Sequence, residues 1–367
     1  MKAMIVAGAR PNFMKVAPIY RALVAAGDVA TLVHTGQHYD AQMSEAFFRD
    51  LGIPQPAFSL EVGSGTHAVQ TARIMERFEP VLLQEKPDWV VVVGDVNSTL
   101  ACALVAAKLR HDIGCRIAHV EAGLRSFDWR MPEEVNRVLT DTLADLLLTP
   151  SPEAKLNLQR EGISADRIEF VGNVMIDTLL SLLPMARERS RSSGTAPTGR
   201  YAVVTLHRPS NVNDPATLKA ILDGIVRFSA EMPVVFPVHP RTKSSLQLQE
   251  MPASIQVIEP LGYIDMLGLI DGAAAVLTDS GGLQEETTVL GIPCLTLRES
   301  TERPVTVELG TNRLVEWPPT SDAVYRAALQ AASEPRTSVG ARAPEGWDGH
   351  AATRIASALR AVSNVRQ

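Results

Sequence analysis

Short runs that are apolar on both faces recur along the first half of the chain, at 3–6, 30–34, 89–93, 116–120, 146–149 and 168–171, with helix-like periodicity between them. Such strands, separated by helices, predict a parallel sheet covered on both sides. The rhythm breaks at 185–200, MARERSRSSGTAPTGR, a polar stretch rich in Ser, Gly and Pro that reads as an exposed connection. It resumes at 201–206, 234–238, 256–258, 274–278 and 294–297. The expectation is an α/β chain of two doubly wound, Rossmann-like domains facing a central cleft, the first over 1–184 and the second over 201–350. A last apolar helix within 351–367 could join either half.

Composition narrows the class. A chain of 367 residues exceeds one typical core, in keeping with two domains. Charged residues make up 21%, the formal net charge is -6 and there is no basic block, so nucleic acid is not an expected partner. The cysteines Cys102, Cys115 and Cys294 are far apart and odd in number, which suits reduced thiols in a cytoplasmic protein rather than a metal site or a disulfide framework. Arg10 and Pro11 interrupt the opening apolar run before it is long enough for a signal peptide. No run reaches the roughly 18 apolar residues that a membrane span needs.

In open parallel sheets ligands bind beyond the carboxyl ends of the strands, so the residues just after each predicted strand carry the candidate chemistry. The first strand runs into Gly8-Ala9-Arg10-Pro11-Asn12, with Lys15 one turn on. This is the start of a dinucleotide fold without its three-glycine fingerprint, and with two cations near a helix N-terminus that favours anions. The strand at 89–93 ends in Gly94-Asp95-Val96-Asn97-Ser98, where Asn97 or Ser98 is expected to cap the next helix; Asp95 is a second cap or a group in the crevice. Glu121 stands at the end of 116–120, either in a structural ion pair with Arg125 or as a catalytic carboxylate. Glu133 and Arg137 are four apart on one helix face, where a modest surface pair is the plain expectation.

The second half offers His207 and His239 at strand ends, His207 being the better candidate for proton work or contact with a charged leaving group. In Thr278-Asp279-Ser280-Gly281-Gly282-Leu283-Gln284-Glu285-Glu286, a strand end, a Ser and two glycines lead into a helix. That order makes an anion cradle of backbone amides, with Glu286 one turn further on and suited to ribose hydroxyls.

Taken together these stretches, with His119-Val120-Glu121-Ala122-Gly123-Leu124-Arg125, Pro132-Glu133-Glu134-Val135-Asn136-Arg137, Thr301-Glu302-Arg303-Pro304 and Gly346-Trp347-Asp348-Gly349, resemble the non-hydrolysing UDP-N-acetylglucosamine 2-epimerases through nearly the whole chain. The resemblance implies a GT-B type fold, a homodimer, and a last helix that crosses back onto the first domain. It implies a UDP-sugar substrate and a reaction needing neither NAD nor metal: anti elimination of UDP to a bound 2-acetamidoglucal, then syn re-addition with C2 inverted. Carried over residue by residue, Asp95, Glu121 and Glu133 match the acid and base carboxylates. Arg10, Lys15, Arg137 and His207 match contacts to the diphosphate or active site, and Ser280, Gly281, Gly282 and Glu286 match the positions that hold UDP. A GT-B glycosyltransferase shares this fold and is the rival in another reaction class.

The chain departs from the family in two places. Where some bacterial members bind an activating second substrate molecule, Gln37 and His239 remain but Asp40 and Pro209 replace a glutamine and an arginine, which argues against such activation. The stretch 125–132 is also shorter than in the enterobacterial members and resembles relatives that epimerise UDP-2,3-diacetamido uronates.

Overall fold

In the computed structural model, residues 1–37, 45–194, 196–238 and 251–364 are described. They form two compact units, the first made of Met1–Thr178 with Glu345–Gln367, the second of Leu179–Pro344.

The first unit is built on a parallel sheet of seven strands: β1 (Lys2–Ala7), β2 (Val29–His34), β3 (Phe58–Ser59), β4 (Trp89–Val93), β5 (Arg116–Val120), β6 (Leu146–Thr149) and β7 (Ile168–Phe170). Their order is β3-β2-β1-β4-β5-β6-β7. In β4, WVVVV, every side chain is buried, because helices cover both faces. One cover is the helix His67–Glu85, which sinks Ile74, Phe78 and Leu82, a fixed spacing of four that keeps them on one stripe.

The second unit repeats the plan with β8 (Ala202–Thr205), β9 (Val234–Pro237), β10 (Ile255–Ile258), β11 (Ala275–Thr278), β12 (Cys294–Thr296) and β13 (Asn312–Leu314). These lie in the order β10-β9-β8-β11-β12-β13. Both sheets therefore have the dinucleotide-fold winding, which reverses direction beside β1 and β4 in one unit and beside β8 and β11 in the other. The GT-B type, two-Rossmann reading of the sequence holds.

The structure bears on three of these expectations. The stretch 185–200 is not a loop throughout, since one helix, Val174–Ser193, carries the chain from the first unit into the second. Its polar composition reflects an exposed face, while Leu182, Leu183 and Ala186 are buried. The terminal helix, Ala351–Asn364, belongs to the first unit, where it packs along the helix Arg10–Ala25. The buried Asp177 carboxylate caps it from a distance, accepting from the amides of Ala351 (3.1 Å) and Ala352 (2.7 Å). Finally, neither Asn97 nor Ser98 caps the helix Asn97–Ile113; Val96 holds the cap position without a side-chain bond. Both polar side chains are engaged elsewhere, Asn97 donating to Gln70 (2.8 Å) and Ser98 to Gln37 (2.8 Å).

All three cysteines are buried. Among the described residues, no helix is long and apolar enough to cross a membrane.

Candidate active site

Where the first sheet reverses, β4 ends in Gly94 and Asp95, and β5 ends next to it in Glu121. Glu121 adopts φ 68, in the left-handed region. For a residue other than Gly that conformation costs about 1–2 kcal/mol. It is held by the amides of Glu121 and Ala122, both of which donate to the Leu148 carbonyl (3.1 and 3.2 Å). The turn aims the side chain back toward β4, where Lys15 donates to Oε2. The other oxygen, Oε1, is buried with no hydrogen-bond partner among the described residues. Gly94 (φ 73) makes room for this pair: a Cβ there would lie 3.4 Å from Glu121 Oε2 and 3.5 Å from Lys15 Nζ.

Glu121 therefore pairs with Lys15, and Arg125, its partner under the ion-pair alternative, is occupied elsewhere. Arg125 grips Glu161 through Nε and Nη2 (2.7 Å each) and also reaches Asp141 (2.7 Å). Asp141 in turn engages Nδ1 of the fully buried His119 (2.6 Å), whose Nε2 faces the Gly94 carbonyl (2.8 Å). This second network props the backbone on both sides of Glu121 and leaves its carboxylate to Lys15.

Asp95 is held by Arg137, whose Nε and Nη2 both donate to Oδ2 (3.0 and 2.8 Å). Asn136 fixes the Asp95 carbonyl (2.9 Å). The remaining arm of Arg137, Nη1, donates to Glu134 (2.5 Å). The expected Glu133–Arg137 pair is replaced by a Glu134–Arg137 pair three residues apart. Glu134 points inward and is 2% exposed, whereas Glu133 is exposed and makes no hydrogen bond or ion pair among the described residues. Burial alone would push the Glu134 carboxyl up. The amides of Ser126 and Phe127, with Arg137 and the Ser126 hydroxyl, instead hold it below the ordinary carboxylate range.

In the second unit the same reversal point brings β8 and β11 together, and Asp279 stands between their ends, fully buried. It accepts from the amides of His207 (3.0 Å) and Arg208 (2.9 Å), from Asn211 (3.2 Å), and from His207 Nδ1 (2.8 Å). Burial works against its ionisation, but His207 and these amides outweigh it and keep the carboxyl low. Asp279 thus orients the His207 ring, which is 42% exposed.

Ser280 is the N-cap of the helix Gly281–Leu290 and makes no side-chain cap bond, so the first amides of that helix are not closed off by it. A Cβ at Gly282 would meet nothing within 4 Å, and one at Gly281 would lie 3.2 Å from Arg303 Nη1. An arginine cluster stands behind: Glu302, 2% exposed, holds Arg298 in a fork (2.8 Å each) with Arg208 and Arg303 at 3.7 and 3.9 Å. Amides at a helix N-terminus with three guanidiniums nearby, two of them paired with Glu302 and Glu285, are chemically suited to an anion. Glu286 is buried, and Tyr263 donates to it (2.9 Å). Burial, helped by the nearby Glu285, pushes its carboxyl up to about 7 against the pull of Tyr263.

The structure thus joins Lys15 with Glu121, Asp95 with Arg137, and His207 with the Ser280 turn through Asp279. The Arg10 side chain, His239 and Asp40 lie outside the described residues. Sequence reasoning passed over two residues, Glu134 and Asp279. Asp279 carried a signal, since it directly follows an apolar strand and precedes Ser-Gly-Gly.

The chain matches the family model described as UDP-N-acetylglucosamine 2-epimerase over residues 22–360. It is 45% identical over 327 residues to the UDP-N-acetylglucosamine 2-epimerase of Methanocaldococcus jannaschii, covering 86% of this chain and 88% of that one. It is 44% identical over 319 residues to the UDP-2,3-diacetamido-2,3-dideoxy-D-glucuronate 2-epimerase of Pseudomonas aeruginosa, with the same coverage. The crystal structure of the Methanocaldococcus jannaschii enzyme in complex with UDP-GlcNAc and UDP superposes with a TM-score of 0.87 at 41% identity, covering 99% of this chain and 100% of that one.

Proposed function

As the chain belongs to the UDP-N-acetylglucosamine 2-epimerase family, an isomerase family, we propose that it inverts C2 of UDP-N-acetylglucosamine to give UDP-N-acetylmannosamine. A carboxylate takes the C2 proton as the C1–O bond breaks and its electron pair leaves with UDP, giving a 2-acetamidoglucal. A diphosphate oxygen then returns to C1 while C2 takes a proton on its other face. The observation that carries this reading is Glu121: a carboxylate held in strained backbone, with one oxygen on Lys15 and the other buried without a partner among the described residues.

The C2 proton is scarcely acidic, so it leaves only in concert with UDP, and the developing negative charge needs cations and amides. The Ser280, Gly281 and Gly282 turn, His207 and Arg10 take that role, and Glu286 binds the ribose. Asp95 and Glu121 are the proton-transfer groups, with Glu133 as a third carboxylate. Arg137 and Lys15 hold Asp95 and Glu121 in ion pairs. Of the two roles that resemblance implies for Lys15, contact to the diphosphate or to the active site, the pairing with Glu121 supports the second. The working enzyme is a homodimer on this reading.

The near-equal identity to the Pseudomonas aeruginosa enzyme supports a second reading, C2 epimerisation of a UDP-2,3-diacetamido uronate. Turnover in D2O, followed by NMR with each sugar nucleotide, separates them. Deuterium is expected at C2 of both epimers of UDP-N-acetylglucosamine. Exchange with the diacetamido uronate alone would select the second reading. Absence of exchange with both would overturn epimerisation.

The ribose role of Glu286 has a pH signature. With the folded carboxyl at about 7 and the ordinary value at 4.5, the folded chain binds more protons between these limits. Its contribution to stability is full below about pH 4.5 and is lost as pH rises to 7, by roughly 3 kcal/mol. Glu286→Gln is therefore expected to raise the urea midpoint at pH 8 but not at pH 4.5. Ribose hydroxyls favour the carboxylate, so UDP binding to the unaltered protein should release up to about three quarters of a proton at pH 6.5 beyond that of Glu286→Gln. Calorimetry in buffers of different ionisation enthalpy reads this, and equal release by the two proteins would remove Glu286 from the site.

A further inference from the structure

The loop 126–130 combines a strained backbone with two exposed rings. Phe127 has φ 57 and is 72% exposed, and Trp129 is 65% exposed. A left-handed Phe persists only where its surroundings impose it, and here the constraint is Glu134. The Glu134 carboxylate accepts from the Phe127 amide (2.9 Å) through one oxygen and from the Ser126 amide and hydroxyl (2.9 and 3.0 Å) through the other. It also takes Nη1 of Arg137, while Nε and Nη2 of the same guanidinium hold Asp95. A continuous chain of charge-assisted bonds thus runs from the aromatic loop through Glu134 and Arg137 to Asp95. Glu134 and Arg137 are buried, so the link between them is shielded from water, while Asp95 and the loop are partly exposed.

We propose that Glu134 is a positioning residue for the epimerisation, which with one carboxylate sets both the backbone of the aromatic loop and the fork of Arg137 against Asp95. The loop then cannot rearrange without disturbing the partner of Asp95. The inference rests on the epimerase reading above and extends it to a residue outside the acid–base set.

The groups around Asp95 define a test. Arg137 and Glu134 face it from the helix Pro132–Leu143, the Lys15–Glu121 pair lies across Gly94, His119 binds the Gly94 carbonyl, and His67 approaches through Asn97. Removing the charge of Glu134 leaves the Arg137 cation to Asp95 alone and favours its ionised form.

For Glu134→Gln, kcat is expected to fall roughly 10- to 100-fold, with KM and the UDP Kd within about threefold. The acidic limb of the kcat profile should move to lower pH by about half a unit or more. A purely structural lesion would lower the rate at every pH and leave the limb in place. Arg137→Lys keeps the charge but loses the fork. It is expected to reproduce the fall in kcat with the UDP Kd preserved, and it decides the matter if Glu134→Gln does not fold. Unaltered kcat in either variant, or an unmoved limb in Glu134→Gln, overturns the proposal. Absence of C2 exchange in the unaltered protein would instead overturn the epimerase reading, and this inference with it.

Discussion

Glu121→Gln is expected to lower C2 epimerisation at least about a hundredfold while leaving the UDP Kd within about twofold. The amide preserves size and can still sit beside Lys15, so the fold has little reason to change. It removes the charge that Lys15 neutralises and replaces an acceptor with a group that cannot take a proton. The backbone at Glu121 makes the same point, since a left-handed glutamate is retained where glycine would be free of strain. UDP binding is assigned to Arg10 and to residues of the second unit and not to Glu121, which explains why affinity and turnover should separate. Progress curves by NMR and calorimetric titration with UDP measure the two effects. Turnover within a few fold of the unaltered protein would strike Glu121 from the proton-transfer groups.

Gly123→Ala, two residues on, is expected to act on folding. At φ 81 a side chain is strained, and the new Cβ would lie 2.3 Å from the Ala154 carbonyl oxygen and 2.9 Å from Leu158 Cγ. Ala154 lies within the helix Pro152–Arg160, so the obstructing atom is backbone and cannot swing aside. Gly123 is also tied at both ends, its amide donating to Asp141 (3.1 Å) and its carbonyl accepting from Asn157 (3.0 Å). Strain and overpacking together should cost about 3–5 kcal/mol, read as a lowered urea midpoint or as failure to accumulate folded protein. An unchanged midpoint would show that the turn can shift without penalty. Because the turn also positions Glu121, any folded fraction should be slow in turnover.

The strands were legible in the sequence where helices bury both faces. The runs at 89–93, 116–120 and 146–149 coincide with β4, β5 and β6, where the side chains are nearly all buried, His119 of β5 included. The edge strands β3 and β13 escaped, the first being two residues long and the second reading Asn-Arg-Leu, with no apolar run to notice. Residues directly after strands were legible for the same geometric reason, and Asp95, Glu121, His207 and Ser280 all stand there.

What the sequence concealed was the choice of partners. Arg125 is near Glu121 in the chain, but the left-handed turn at Glu121 sends the carboxylate toward Lys15, 106 positions away. Glu133 and Glu134 are adjacent and identical, and only the rotation of their helix against Asp95 decides which is buried. Spacing along one helix cannot supply that rotation.

The capped terminal helix bears on how the protein is made. The first unit needs the segment Glu345–Gln367, yet the ribosome delivers all of Leu179–Pro344 before it. Until then the Asp177 carboxylate has no helix to cap, Trp89 Nε1 lacks its Ser363 acceptor (2.9 Å), and Arg116 lacks the Val362 carbonyl (2.7 Å). The half of the molecule translated first is therefore the last to close. During synthesis the face of the Arg10–Ala25 helix that will receive the terminal helix is still uncovered, a state in which nascent chains are most exposed to association with one another.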